Sequence, residues 1–230
     1  MKPSFSIFIL ILIWSSCAQH PESFLVQTQP PQEIPNNPDS VKEFKVNSET
    51  SEIFWIGTKP TGQHHGTIAI SDGAIFLKNG IPVGGNFTID MHDIDIQELE
   101  GKQKTKLSNH LSSSDFFDVE NHPVSKFVLT DIQPFNSQSS IAIAEESPYV
   151  LADPTHMATG NLSMRGTNLS ISFPAKIQVT ENRVKAIAKF NIDRTKWGVS
   201  YWDESTIENR TKDKLIHNVV YVGFTLEAIR

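Results

Sequence analysis

Apolar and polar residues alternate with a period of two along most of the chain. In GNFTIDM the apolar residues Phe87, Ile89 and Met91 fall on one side. KFVLTDI puts Phe127 and Leu129 on one side, with Val128 and Ile132 on the other. NLSISFPAKIQV carries Leu169, Ile171, Phe173, Ala175, Ile177 and Val179 in step, and VKAIAKFNI carries Val184, Ala186, Ala188, Phe190 and Ile192. Near the C-terminus, VVYVGFTLEAI repeats the pattern with Val222, Phe224, Leu226 and Ala228. Ile53 with Trp55, and Ile68 with Ile70, mark two more segments. A two-residue period predicts strands with unlike faces. Turn signals fall between them, at Ser71-Asp72-Gly73, Lys78-Asn79-Gly80, Arg165-Gly166 and Glu181-Asn182. About eight such strands predict an all-β domain, either an antiparallel sandwich or a closed barrel.

Two regions depart from this period. Ile96 to Phe117 is the best helical candidate, with Leu99, Leu107 and Leu111 among three lysines. Gly101 and Ser108-Asn109 allow it to be two short pieces. Ser112-Ser113-Ser114-Asp115 fits a capping box, with Asp115 as part of the cap and a second helical turn carrying Phe116 and Phe117. Asp118 and Glu120 are expected to face water. Pro123 ends the segment and suits the first position of the next strand. Asn136 to Thr155 reads as a long polar surface connection, with a small hairpin around Ile141 and Ile143.

The domain begins at about residue 42. Before it, residues 1–17 read as a signal peptide. The apolar run FSIFILILIW is short for a membrane span, and Ser15-Ser16-Cys17 places small residues before a cysteine. That pattern is similar to a bacterial lipobox, with Trp14 standing where an aliphatic residue is usual. It predicts lipidation of Cys17 and an exported lipoprotein of the bacterial cell envelope, held at the membrane by this residue. Ala18 after the cysteine favours the outer membrane, facing the periplasm. Cys17 is the only cysteine, so no intramolecular disulfide can form. Residues 18–41 contain prolines and no apolar periodicity, which predicts a disordered tether.

A net charge of −6 argues against a nucleic-acid surface. His64 and His65 are adjacent and would point to opposite faces of a strand. No histidine pair has a metal-binding spacing, and neither GxSxG nor a phosphate-binding glycine loop occurs. No metal, cofactor or catalytic residue is therefore assigned. Phenylalanine is the abundant aromatic, with 14 copies against 3 tyrosines. Phenylalanines recur on the alternating faces, as core packing or as the wall of an apolar cavity.

WIGTKPTGQHHGTI, GGNFTIDM, HLSSSDFFDVENHPVSKF, GNLSMRGTN and FNIDRTKWGVSY occur in that order. Together they make residues 42–230 closely similar to the YceI family of lipocalin-like, polyisoprenoid-binding periplasmic proteins. Here the connection Asn136–Thr155 is longer than the family's usual one, and His122 stands where the family has Tyr. The resemblance implies an antiparallel eight-stranded barrel with a flanking helical segment. It also implies non-catalytic binding of a long apolar isoprenoid-type lipid: a polyprenol, a quinone or a similar amphiphile. The tunnel wall is then expected to include Phe87, Ile89, Phe116, Phe117, Phe127, Leu129, Phe173, Phe190, Trp197 and Phe224. Trp197 is also expected to lie buried at a barrel end, with Arg194 bonded to backbone beside it. Two other readings are an enzyme on an apolar substrate, using His110 or His122 with Asp118, and a side-chain-filled barrel serving stress response or protein interaction.

Overall fold

The structure is a computed structural model, described over residues 20–35, 40–136, 147–206 and 215–230. Cys17, the expected signal segment and the hairpin expected around Ile141 and Ile143 lie outside the described residues.

Ten strands and one helix follow in order: β1 (Thr28–Gln29), β2 (Lys42–Val46), β3 (Glu52–Lys59), β4 (Gly62–Lys78), β5 (Ile81–Ile96), α1 (Gly101–Ser112), β6 (Val124–Pro134), β7 (His156–Met164), β8 (Thr167–Val179), β9 (Arg183–Asp193) and β10 (Val219–Ile229). Strands β3 to β10 form a closed, antiparallel eight-stranded barrel. Neighbours along the chain pair in turn, and β10 returns to β3 through Tyr221↔Ile56 to Thr225↔Glu52. β2 continues the stave begun by β3, pairing with β4 on one side and β10 on the other.

The connections β3–β4, β5–β6, β7–β8 and β9–β10 lie at one end, the mouth; those of β4–β5, β6–β7 and β8–β9 lie at the other, the floor. At the floor Phe44, Leu77, Val184 and Ala228 are at most 2% exposed and pack as one apolar cluster.

The apolar phase of most strands lines the cavity, because one face of each is buried. Ile132 is the exception. It faces inward with Phe127 and Leu129. A register shift between Leu129 and Asp131, where β6 pairs β7, inserts one residue and flips the phase.

The helical region also differs from expectation. α1 ends at Ser112, and Ser113 to Phe117 form turns instead of a second helical turn. The Ser113 hydroxyl closes the helix C-terminus by donating to the His110 carbonyl (2.8 Å). Asp115 is exposed and caps nothing, whereas the Val119 N–H reaches back to the Ser112 carbonyl (3.0 Å). Asp118 takes a left-handed φ of 51° within this fold-back and accepts two bonds from the Asn121 amide.

The largest departure is at the N-terminus. Residues 20–35, expected to belong to a disordered tether, lie against the barrel. β8 and β9 pair only from Ala175↔Ala188 to Val179↔Val184, then part towards the mouth. The N-terminal segment fills the gap. Thr28↔Ile171 and Gln29↔Ser170 join it antiparallel to β8, and Leu25 bridges Asn191 of β9 in parallel. The Asn191 N–H donates to the Phe24 carbonyl (2.6 Å), and the Val26 N–H donates to the Asn191 carbonyl (2.9 Å). The segment's apolar contribution comes from Val26, 5% exposed in the core cluster, and from Phe24 packed beside it, while Leu25 and Ile34 are exposed. Hydrogen bonds to a strand edge hold it, and these leave no hydrophobic period in the sequence.

Candidate functional site

The barrel encloses a cavity of about 690 Å3. Its middle is a collar of phenylalanines contributed by five strands. Phe87 and Phe127 stack at 6.2 Å between ring centres, Phe127 meets Phe173 at 5.5 Å, and Phe173 lies on Phe190 at 4.5 Å and against the Phe224 edge at 5.8 Å. Each occupies the inward phase of its strand, so the two-residue period delivers all five rings to one level. Below the collar the wall is Ile75, Ile177, Val184, Ala186 and Leu226; above it are Ile89, Met91, Ile94, Leu162 and Ile192. Phe116 and Phe117, packed edge to face at 5.0 Å, close over Met91 and Ile94 from the turn after α1. Of the residues expected in a tunnel wall, all but Trp197 line this cavity.

Trp197 is fully buried but sits behind the wall. It belongs to a 3-10 turn, Arg194–Trp197, that opens when the Asp193 carboxylate accepts from the Thr195 N–H (3.0 Å). The Trp197 indole N–H donates to the Leu162 carbonyl (3.0 Å), tying the end of β9 to β7. A ring committed to a backbone carbonyl on its polar side and packed on every other side has no face left for a ligand.

Polar groups gather at the mouth. Lys59, His64, Lys106, His110, Arg194, Tyr201 and Trp202 line the cavity there, and Lys106 is also exposed, so the cavity meets solvent at this end. Among the described residues no aspartate or glutamate is in the lining. Arg194 is 3% exposed. Its guanidinium donates to the carbonyls of His217, Val199 and Ile216, and it lies 5.7 Å from the Phe116 ring centre. Burial draws its pKa down, against the pull of Asp203, Asp193 and Glu204 nearby. His110 packs on Tyr201 at 4.6 Å and Phe116 at 5.7 Å. His64 is steadied from outside the cavity, with Nδ1 2.6 Å from the Glu98 carboxylate, which also accepts the His65 N–H (3.0 Å). Burial would raise the Glu98 pKa, but these hydrogen bonds outweigh it and hold the carboxyl below its ordinary value. Arg165, read from sequence only as part of a turn, crosslinks the rim by donating to the carbonyls of Gly198 and Ser114.

Among the described residues, two buried polar atoms of the lining have no hydrogen-bond partner: Trp55 Nε1 and Ser125 Oγ. Ser125 is 3% exposed and faces inward in phase with Phe127 and Leu129. Extending the alternation by two residues would have found it. Orphaned buried donors of this kind call for a partner.

The residues named for an enzymatic reading are not assembled at the cavity. His110 lines it among aromatic rings, whereas His122 and Asp118 stand 3.9 Å apart outside its lining. Among the described residues no cluster of three or more His, Cys, Asp or Glu is placed to hold a metal ion. A filled barrel would have no cavity of this size.

The YceI-like domain profile matches residues 44–228. Among solved structures, Burkholderia cenocepacia BcnA superposes with a TM-score of 0.55 at 15% identity, covering 80% of this chain and 99% of that one. A polyisoprenoid binding domain from Saccharophagus degradans implicated in plant cell wall breakdown gives 0.54 at 12% identity, covering 83% and 99%. At these identities the two structures share the fold. No curated protein matches the chain. With the family pattern spanning the barrel from β2 to β10, the chain belongs to the YceI family.

Proposed function

We propose that the protein carries one long isoprenoid-type lipid, a polyprenol, quinone or similar amphiphile, in its barrel without altering it covalently. The continuous apolar wall of the 690 Å3 cavity carries this reading. Volumes of 300–1,000 Å3, mostly apolar with a few convergent polar groups, are those of small-molecule sites. Family membership supports it, as does the polyisoprenoid binding named for the Saccharophagus degradans domain. The hydrocarbon chain lies along the phenylalanine collar towards the floor. The ligand's polar end rests at the mouth, within reach of Arg194, His110 and the lysines. Ser125 and Trp55 offer hydrogen bonds to polar atoms further in. Apolar walls distinguish chains weakly, since one methylene is worth only about 1–3 kcal/mol. The polar end therefore carries most of the selectivity.

The setting we propose is the bacterial cell envelope, with Cys17 acylated and the barrel on the periplasmic side of a membrane. Native mass spectrometry of protein purified from its own membranes, followed by solvent extraction, tests the binding. One amphiphile released intact is expected; an empty barrel, or a chemically altered product, would count against a carrier. Cys17→Ala tests the setting. The variant should fold and become soluble after export, and its retention on salt-washed membranes would show that Cys17 is not the anchor.

A further inference from the structure

The barrel wall is incomplete without the N-terminal segment, which lies ahead of the family's domain. From Ala175 and Ala188 towards the mouth, β8 and β9 share no ladder. A strand placed between two others holds them about 10 Å apart, twice the ordinary spacing. The gap runs from Ala188 to Asp193, about 17 Å at the rise of a strand. Its flanks are cavity wall: Ile171 and Phe173 on β8, Phe190 and Ile192 on β9. Removing residues 24–29 would leave a lateral slot between β8 and β9 whose lower end is bridged by the stacked Phe173 and Phe190 rings of the collar.

The seat for this segment is built. Asn191 and Asn161 face outward yet are 2% and 5% exposed, because the segment covers them. Asn191 Nδ2 donates to the Pro21 carbonyl (2.8 Å). Asn161 grips the Gln32 backbone at both atoms, donating to its carbonyl (2.7 Å) and accepting its N–H (2.8 Å). The Gln32 side chain accepts from the Thr130 hydroxyl (2.9 Å). The long β6–β7 connection adds a clasp, with the Ser23 hydroxyl donating to the Tyr149 carbonyl (2.8 Å) and Tyr149 packed on Tyr221 at 5.3 Å. Its apolar contacts are confined to Val26 and Phe24, and polar, surface-side bonds hold the rest, the make-up of a segment that opens before the core does.

We infer that residues 20–35 are a removable stave, and that its displacement opens a lateral route between β8 and β9 for the lipid's chain. The inference rests on the lipid-carrier reading above. It explains how a long chain reaches the cavity without being threaded end-on past a rim crosslinked by Arg165. Three residues separate Pro21 from Cys17, four steps of at most about 14 Å of chain in all. An acylated Cys17 would thus keep the slot beside the bilayer that supplies the ligand.

The test locks the stave in the full chain. Gln29 and Ser170 are register partners on the outer side of the barrel, away from the cavity. Antiparallel partners lie at a Cα separation that a disulfide accepts. The variant Gln29→Cys/Ser170→Cys, with Cys17→Ala removing the native thiol, is offered a pyrene-labelled long-chain alcohol in phosphatidylcholine vesicles. The oxidised protein should take up the probe at least ten-fold more slowly than the reduced protein, and reduction should restore the rate. Equal rates in the two states would overturn the lateral route and leave the mouth as the way in. No uptake in either state would overturn the carrier reading, and the route with it. Hydrogen exchange of the wild type is the independent check. The Val26, Gln32 and Asn191 amides should exchange together and well before those joining β9 to β10; protection equal to that ladder would also overturn the proposal.

Discussion

The two flanks of β9 are closed in different ways. On one side all 11 of its residues pair with β10, from Arg183↔Ile229 to Asp193↔Val219. On the other, pairing with β8 stops at Ala175↔Ala188, and residues 24–29 supply the rest. On this second side the Asn191 N–H and carbonyl find their partners in the segment, as a buried backbone demands. The two flanks differ in what must be undone to open them. Separating β9 from β10 breaks a long ladder and exposes the floor cluster. Releasing the N-terminal segment breaks scattered polar bonds and uncovers the apolar surface under Val26 and Phe24 alone. A barrel can thus be closed everywhere and still have one flank that yields first.

The strongest way to break this comparison is at Trp197, which bridges the weak flank by bonding β7 from the end of β9. Loss of a buried tryptophan costs about 3–5 kcal/mol. For a domain of this size that lowers the melting temperature by roughly 6–20 °C. Trp197→Ala should do so in thermal unfolding followed by circular dichroism. The amides of residues 24–29 should lose protection earlier than those of β10. A fall of only a degree or two would mean that the ring does not hold the flank.

The next test asks whether the weak flank borders the ligand. Phe173 and Phe190 face each other across it at 4.5 Å. An unpaired carboxylate in a packed core is costly, by several kcal/mol, but a cavity that admits water relieves much of that. Phe173→Glu and Phe190→Glu should stay folded, melt only modestly lower, and purify without lipid. Unfolding of both would indicate a solid core at this level; folded variants that keep their lipid would place the ligand elsewhere.

How much of this was legible in the sequence follows from what holds each part. The inner wall was legible because burial of one strand face writes a period of two, and Phe87, Phe127, Phe173, Phe190 and Phe224 all obey it. Ile132 was misassigned because a bulge has no signature in the alternation. Trp197 was legible as buried, but not as lying behind the wall, since packing from two sides looks the same in sequence. The N-terminal stave was invisible for a deeper reason. Its prolines and polar residues have the composition of a tether, and its order comes from Asn161 and Asn191, far along the chain, and from backbone groups that every residue possesses. The polar mouth was partly legible in Arg194. Lys59 and Lys106 needed the barrel to bring them to one rim.

The smallest expected effect sharpens the comparison by leaving both flanks untouched. Glu98 sits at the mouth, where the His65 N–H and the His64 ring hold its carboxyl below the ordinary pKa. A carboxyl lowered in the folded state stabilises fully above its unfolded value, 4.5, and that contribution is lost as pH falls through the lower folded value. Pairs as accessible as this one are worth up to about 1 kcal/mol, or up to about 3 °C in a domain of this size. Glu98→Gln should therefore melt slightly below the wild type at pH 7, and the two curves should converge as pH drops below about 4.5. Hydrogen exchange of the Val26 and Asn191 amides should be the same in both proteins at pH 7. If the gap between the melting curves persists at pH 3, the charge on Glu98 is not what stabilises the rim. If the stave's amides exchange faster in Glu98→Gln, the mouth and the weak flank are coupled, and the flank's lability is not a property of its own bonds alone.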